Sequence, residues 1–180
     1  MNILTMEYDQ LAADINNTFA ELIQLIQKFD ADDFNEQPFE GSWTAGQLVT
    51  HVEMSGSGLS KALHDAAKDT ERAPDELVEK LKAIFLDFST KMNSPAFIVP
   101  AEKNYEIEPL LNSIKNIQHL TINGIETLDL TKTATTFSLP MLGFITRLEI
   151  IYFILYHTQR HVHQLKNIHQ ALSKKSANLF

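Results

Sequence analysis

The sequence predicts an all-α fold: a four-helix bundle with an additional short helix between the second and third long helices, in one domain spanning residues 1–180. Three observations predict it. The stretch from Thr146 to Leu172 contains no Pro or Gly and places Leu148, Ile151, Tyr152, Leu155, Val162, Leu165, Ile168 and Leu172 at spacings of mostly three and four. Earlier stretches repeat that spacing. No segment shows sustained strand alternation between turn signals, and no repeat of roughly 20 to 50 residues is present.

Each element follows from its own residues. The first long helix is expected from about Tyr8 to Phe29, with Leu11, Ile15, Phe19, Leu22, Ile23 and Ile26 on one face. Asp30 to Ser42 reads as a loop with a short turn at Ala31 to Phe34. The second helix has a legible start: Thr44 as N-cap and Gln47 at the third position form a capping box, with Trp43 and Leu48 placed for a hydrophobic staple. Its end is expected near Lys68, with Gly56 and Gly58 either loosening the middle or admitting a close neighbour. Pro74 opens the shorter helix, Asp75 to Met92, and Ser94 to Asn104, with its two prolines, reads as an extended connection. Glu106 to Leu128 is the third long helix, Pro109 being tolerated in its first turn. Asp129 to Gly143, with four threonines, Pro140 and Gly143, reads as a loop. Thr146 and Glu149 then repeat the capping box at the head of the last helix, which would extend ~40 Å at 1.5 Å per residue. Residues 173–180 are expected to form a mobile tail.

Composition narrows the function. The net charge of −8 disfavours a nucleic-acid partner, whose phosphates need a clustered positive field. Glu7 and Asp9 stand where a signal peptide would need positive charge, and no apolar run approaches the roughly 18 residues of a membrane span, so the cytoplasm, away from membranes, is the expected compartment. With no cysteine, a metal must be held by His, Asp or Glu.

His157 and His161 lie four residues apart, about 40° around a helix, and so stand one above the other. Two readings of the pair stand: a chelate for one divalent ion, or two solvated histidines on a polar face. The spacing resembles the zinc-peptidase HExxH pattern, but Thr158 replaces the glutamate that would act as general base, which disfavours a peptidase. His64, His163 and His169 read as surface residues, and nothing fixes the rotation of His119. Gln47 reads as the cap, whereas Gln164, one turn after His161, is equally placed to reach the site. Glu149 and Arg160 read as exposed ion pairs in preference to an anion-binding rim.

The early helix, the segment GSWTAGQLVTHVEMS and the segment LGFITRLEIIYFILYHTQRHVHQL, in that order, resemble the DinB/YfiT family of metal-dependent bacterial proteins. The resemblance implies an up-down-down-up bundle with a metal held by one histidine of the second helix and two of the last. Carried over, these are His51, His157 and His161. Three neutral imidazoles leave open coordination positions, and zinc or nickel suits nitrogen ligands. The resemblance further implies a homodimer and an enzyme acting on a small molecule, either a low-molecular-weight-thiol S-transferase or a hydrolase. A non-catalytic metal- or small-ligand-binding bundle, serving as sensor or dimerisation module, is the alternative. Ser57 to Asn104 is longer than in shorter family members, which leaves the pocket's shape open.

Overall fold

The computed structural model describes residues 3–140 and 142–177. Its helices are α1 (Ile3–Ile26), α2 (Ala31–Asn35), α3 (Ala45–His64), α4 (Val78–Leu86), α5 (Ile107–Thr127) and α6 (Arg147–Ala177). Both capping boxes form. Thr44 Oγ1 accepts from Gln47 N at 3.1 Å while Gln47 Oε1 accepts from Thr44 N at 3.0 Å; Thr146 and Glu149 make the same exchange at 3.1 and 2.8 Å. Each satisfies backbone N–H groups that a helix start leaves without an internal partner. The tail expected at 173–180 is helical as far as Ala177, and residues 178–180 lie outside the described residues.

The four long helices share one core, with Ile15, Phe19, Leu22, Leu63, Ile114, Ile117 and Leu165 all sealed from solvent or nearly so. Helix α1 packs on α5 and α6, and α3 packs on the same two. Between α1 and α5, Gln118 donates to Asn16 at 2.8 Å, and Tyr105 N, just before α5, donates to Oδ1 of Asn35 at the end of α2 at 2.7 Å. Between α1 and α6, Gln159 donates to Thr18 and Lys166 pairs with Glu21 at 2.6 Å. Helices α3 and α5 approach closely because glycine faces the partner in both. A Cβ on Gly56 would stand 2.9 Å from Ile117 Cδ1, and one on Gly124 would stand 2.6 Å from Leu63 Cδ2. Of the two readings for the glycine pair in α3, close approach therefore holds for Gly56, whereas Gly58 faces open space.

The all-α expectation is corrected by a small antiparallel sheet in the order β1–β2–β3, formed by β1 (Ala67–Lys68), β2 (Thr133–Leu139) and β3 (Gly143–Thr146). Ala67 pairs with Ala134 and Thr133 with Thr146, and a bulge interrupts β2–β3 before Ser138 meets Phe144. The segment expected to be a loop is thus a hairpin, turning through Gly143 at φ 72°. Its burial does not alternate, since Thr133 and Ala134 are both buried and Thr135 and Thr136 both exposed, so no period of two marks it. The β-branched threonines were the available signal. The second helix stops at His64, short of Lys68, because the backbone turns extended at Asp65. Arg147 then takes two carbonyls at that end, Leu63 O at 3.0 Å and Asp65 O at 3.1 Å.

The short helix is also narrower than the Asp75–Met92 expected. It ends at Leu86 because the Asp87 carboxylate draws in Ser89 N, Ser89 Oγ and Thr90 Oγ1 at 2.5 to 3.0 Å, a local turn that competes with helix. The chain from Asp87 to Ser94 is then free to run beside α6. In the connection that follows, Ala96–Ile98 forms a single turn of 3-10 helix.

Candidate metal centre

Helix α3 carries His51 about two turns from its capping box, and α6 carries His157 and His161 one turn apart. Packing of α3 on α6 brings all three rings together and buries them, with exposures of 3, 7 and 6 %. The Nε2 atom of His157 lies 3.2 Å from that of His51 and 3.1 Å from that of His161. The solvated-pair reading of His157 and His161 therefore fails, and the residue singled out on α3 joins them.

The outer nitrogens explain which atoms face inward. His51 Nδ1–H donates to the Ile98 carbonyl at 2.9 Å, and His161 Nδ1–H donates to Gln164 Oε1 at 2.6 Å. Neutral His51 and His161 then carry lone pairs on Nε2, both aimed at His157 Nε2. That nitrogen holds at most one hydrogen, so it can satisfy only one of its two neighbours. At least one contact places lone pair against lone pair. A divalent cation resolves this arrangement: nitrogens about 2.1 Å from a tetrahedral ion lie about 3.4 Å from one another, close to the separations found here. The donor set, its burial and its pinned outer nitrogens fit a metal ion; the three ligand atoms all lie within 4.8 Å of one another.

Burial sets the proton affinities. It pushes His157 well below the ordinary histidine value, with His161, His51 and Arg160 adding repulsion. Burial likewise takes His161 down to about 3, aided by His51 and opposed by the Gln164 bond. His51 is lowered by burial, against the Ile98 hydrogen bond. A neutral imidazole is the ligating form, so the site is kept ready for metal at neutral pH. For the metal-free protein, the unfolded chain takes up protons near pH 6.5, whereas the folded cluster resists them. Stability is therefore full above about pH 6.5 and falls as pH drops toward the folded values. Thermal melts of chelator-treated protein should shift downward from pH 7 to pH 5, and His157→Leu should flatten that dependence. An unchanged slope would show that the cluster does not resist protonation.

The histidines form the floor of a cavity of about 830 Å³. Trp43 stands over His51 with ring centres 5.2 Å apart, and Phe85 and Phe153 lie 5.5 and 5.7 Å from His157. The outer wall is the Phe88–Ser94 segment, which sequence reasoning gave to a helix as far as Met92. Arg160 holds that wall, donating to the carbonyls of Phe85 at 3.2 Å, Asp87 at 2.8 Å and Thr90 at 2.5 Å.

The other polar residues divide differently from expectation. Glu149 and Arg160 are not exposed ion pairs: Glu149 is fully buried, and Arg160 is 5 % exposed with backbone carbonyls as its hydrogen-bond partners among the described residues. Gln47 is the cap and Gln164 the partner of His161. His64 and His119 are exposed. His163 stacks on Phe88 at the cavity wall, 4.3 Å between centres, and His169 packs edge-on against Phe29. Sequence reasoning missed Ile98, whose contribution is a backbone carbonyl and therefore independent of its side chain. Among the described residues no helix is long and apolar enough to cross a membrane. The family model described as the DinB superfamily matches residues 14–165. No curated protein and no solved structure matches the chain.

Proposed function

The chain belongs to the DinB superfamily, and from that membership and the converging imidazoles we propose that it is a divalent-metal-dependent enzyme whose zinc or nickel is held by His51, His157 and His161. The up-down-down-up helix order belongs to this reading. It is supported by the contacts that run antiparallel between the chain from α1 to α2 and the chain leading into and along α5 (Asn16 with Gln118, Asn35 with Tyr105) and parallel between α1 and α6 (Thr18 with Gln159, Glu21 with Lys166).

The observation that carries the proposal is that the three Nε2 atoms converge at the floor of a large open cavity. A closed structural site would enclose its ion in side chains; here room for a substrate lies directly above the donors. That favours an enzyme over a binding or dimerisation module. Within the enzyme class, low-molecular-weight-thiol transfer is favoured over hydrolysis. No Asp or Glu is among the described residues lining the cavity, so a carboxylate base to activate water is lacking there. A bound divalent ion would supply a lowered thiol pKa and so a thiolate nucleophile, the species a chain without cysteine cannot provide itself. The protein's own residues do the rest: Ile98 and Gln164 orient the imidazoles, and Trp43, Phe85 and Phe153 exclude water from the floor.

Zinc-loaded protein with 2-mercaptoethanol and 1-chloro-2,4-dinitrobenzene tests this by release of chloride and formation of the thioether. Loaded protein is expected to exceed chelator-treated protein by at least about tenfold in rate. Ester hydrolysis without thiol would favour the hydrolase. Neither activity, with the metal in place, would favour the non-catalytic module.

A further inference from the structure

The cavity's charge is opposite in sign to that of the chain. The sequence carries 23 acidic against 15 basic residues, a net charge of −8. Among the described residues that line the cavity, however, no side chain is acidic, while Lys91 and Arg160 are both present. Arg160 is 5 % exposed and pays the desolvation cost of a buried cation with no carboxylate partner among the described residues. Its three hydrogen bonds go to backbone carbonyls of the cavity wall. The acid closest in sequence to that wall, Asp87, is exposed and spends its carboxylate on Ser89 and Thr90. Glu149, farther up α6, is taken by Arg72. A low-dielectric recess with uncompensated positive charge concentrates anions.

The rest of the lining is apolar and aromatic. Trp43, Phe85, Phe88 and Phe153 provide flat surfaces, and a volume near 830 Å³ exceeds what a small inorganic anion needs. From this juxtaposition we infer that the cavity selects an organic anion with a flat apolar body, its acidic group drawn to Arg160 and Lys91 and its body lying between the aromatic walls. The inference deepens the proposed function, since it takes this cavity as the substrate site. It does not depend on which reaction occurs there. Arg160 is then a specificity-determining residue that also ties down the wall, and Lys91, exposed at the wall, adds charge at longer range.

The test uses two fluorescent probes with the same body: 1-anilinonaphthalene-8-sulfonate, an anion, and N-phenyl-1-naphthylamine, which is neutral. Titrations of the zinc-loaded full chain and of chelator-treated protein are expected to favour the anion by at least about tenfold in Kd, a difference of about 1.4 kcal/mol. Arg160→Gln should bring the ratio close to one, mainly by weakening the anion, whereas Arg160→Lys should keep most of it. Should Arg160→Gln fail to fold, Lys91→Gln, at an exposed position, is expected to lower the ratio about threefold in folded protein, and added salt should lower it in wild type. Equal affinities in the wild type, or a preference untouched by these variants and by salt, would overturn the inference. Loss of zinc uptake with the preference intact would instead count against the metal reading alone, because the probes also report on metal-free protein.

Discussion

Replacing His157 by Ala is expected to abolish stoichiometric metal binding. Protein purified without an affinity tag and measured by elemental analysis should carry about one zinc or nickel per chain, and the variant close to none. His157 has the greatest effect because its Nε2 lies within 3.2 Å of both other donors and its ring is buried among them. His51→Ala and His161→Ala should each cause a strong loss as well, since two imidazoles remain where three are needed. Gln164→Ala should weaken binding less, by about 10- to 100-fold, because it removes only the acceptor that fixes the His161 tautomer. Helical circular dichroism should stay near wild type in all four, because the capping boxes and the bundle core do not involve these side chains. Unchanged metal stoichiometry in the three histidine variants would sink the triad.

Glu149→Ala is expected to cost more stability than any of those substitutions. Its carboxylate is fully buried and accepts four hydrogen bonds: Arg72 Nη1 and Nη2 at 2.6 Å each, Leu77 N at 2.8 Å and Thr146 N at 2.8 Å. These tie three places together: the chain at Arg72, the N-cap of α4 and the head of α6. Removal leaves the three-quarters-buried Arg72 guanidinium without its counter-charge and two backbone N–H groups without acceptors. Breaking a buried pair in this way costs about 3–5 kcal/mol. Arg72 is itself held further up in pKa by its hydrogen bonds to that carboxylate, so the guanidinium keeps its charge. Urea unfolding followed by circular dichroism would measure the loss. Glu149→Gln should recover part of it, because an amide oxygen still accepts from the backbone donors. A change below about 1 kcal/mol for Glu149→Ala would mean that the pair does not anchor these segments.

The starts of α3 and α6 and the candidate ligand pair were legible because both depend on short-range patterns. A capping box needs only residues three apart, and Thr44–Gln47 and Thr146–Glu149 formed as expected. The HxxxH pair needs only the helical rotation between His157 and His161, whereas its joining with His51 came from resemblance to a family. Strand β2 escaped notice because its pairing partners lie elsewhere in the chain and its burial does not alternate. The end of α4 was overestimated because an apolar spacing continues past Leu86, while the turn around Asp87 depends on side chains competing with the helix.

Glu149 shows where reading from local pattern ends. As a cap its position followed from sequence spacing, but its pairing with Arg72, 77 residues away, is created by the fold. The same holds for Arg160, whose type suggests surface charge and whose position in the packed bundle makes it a buried cation at a cavity wall. The sequence by itself determined the four long helices, the starts of α3 and α6, the lack of a cysteine thiolate and the histidine pair that could serve as metal ligands, because helical period and residue chemistry are local. Only the tertiary structure decided that the three imidazoles meet, that Ile98 and Gln164 pin their outer nitrogens, and that an acidic chain encloses a basic cavity. Those properties arise from which side chains lose water together when distant segments pack, and no local spacing encodes that.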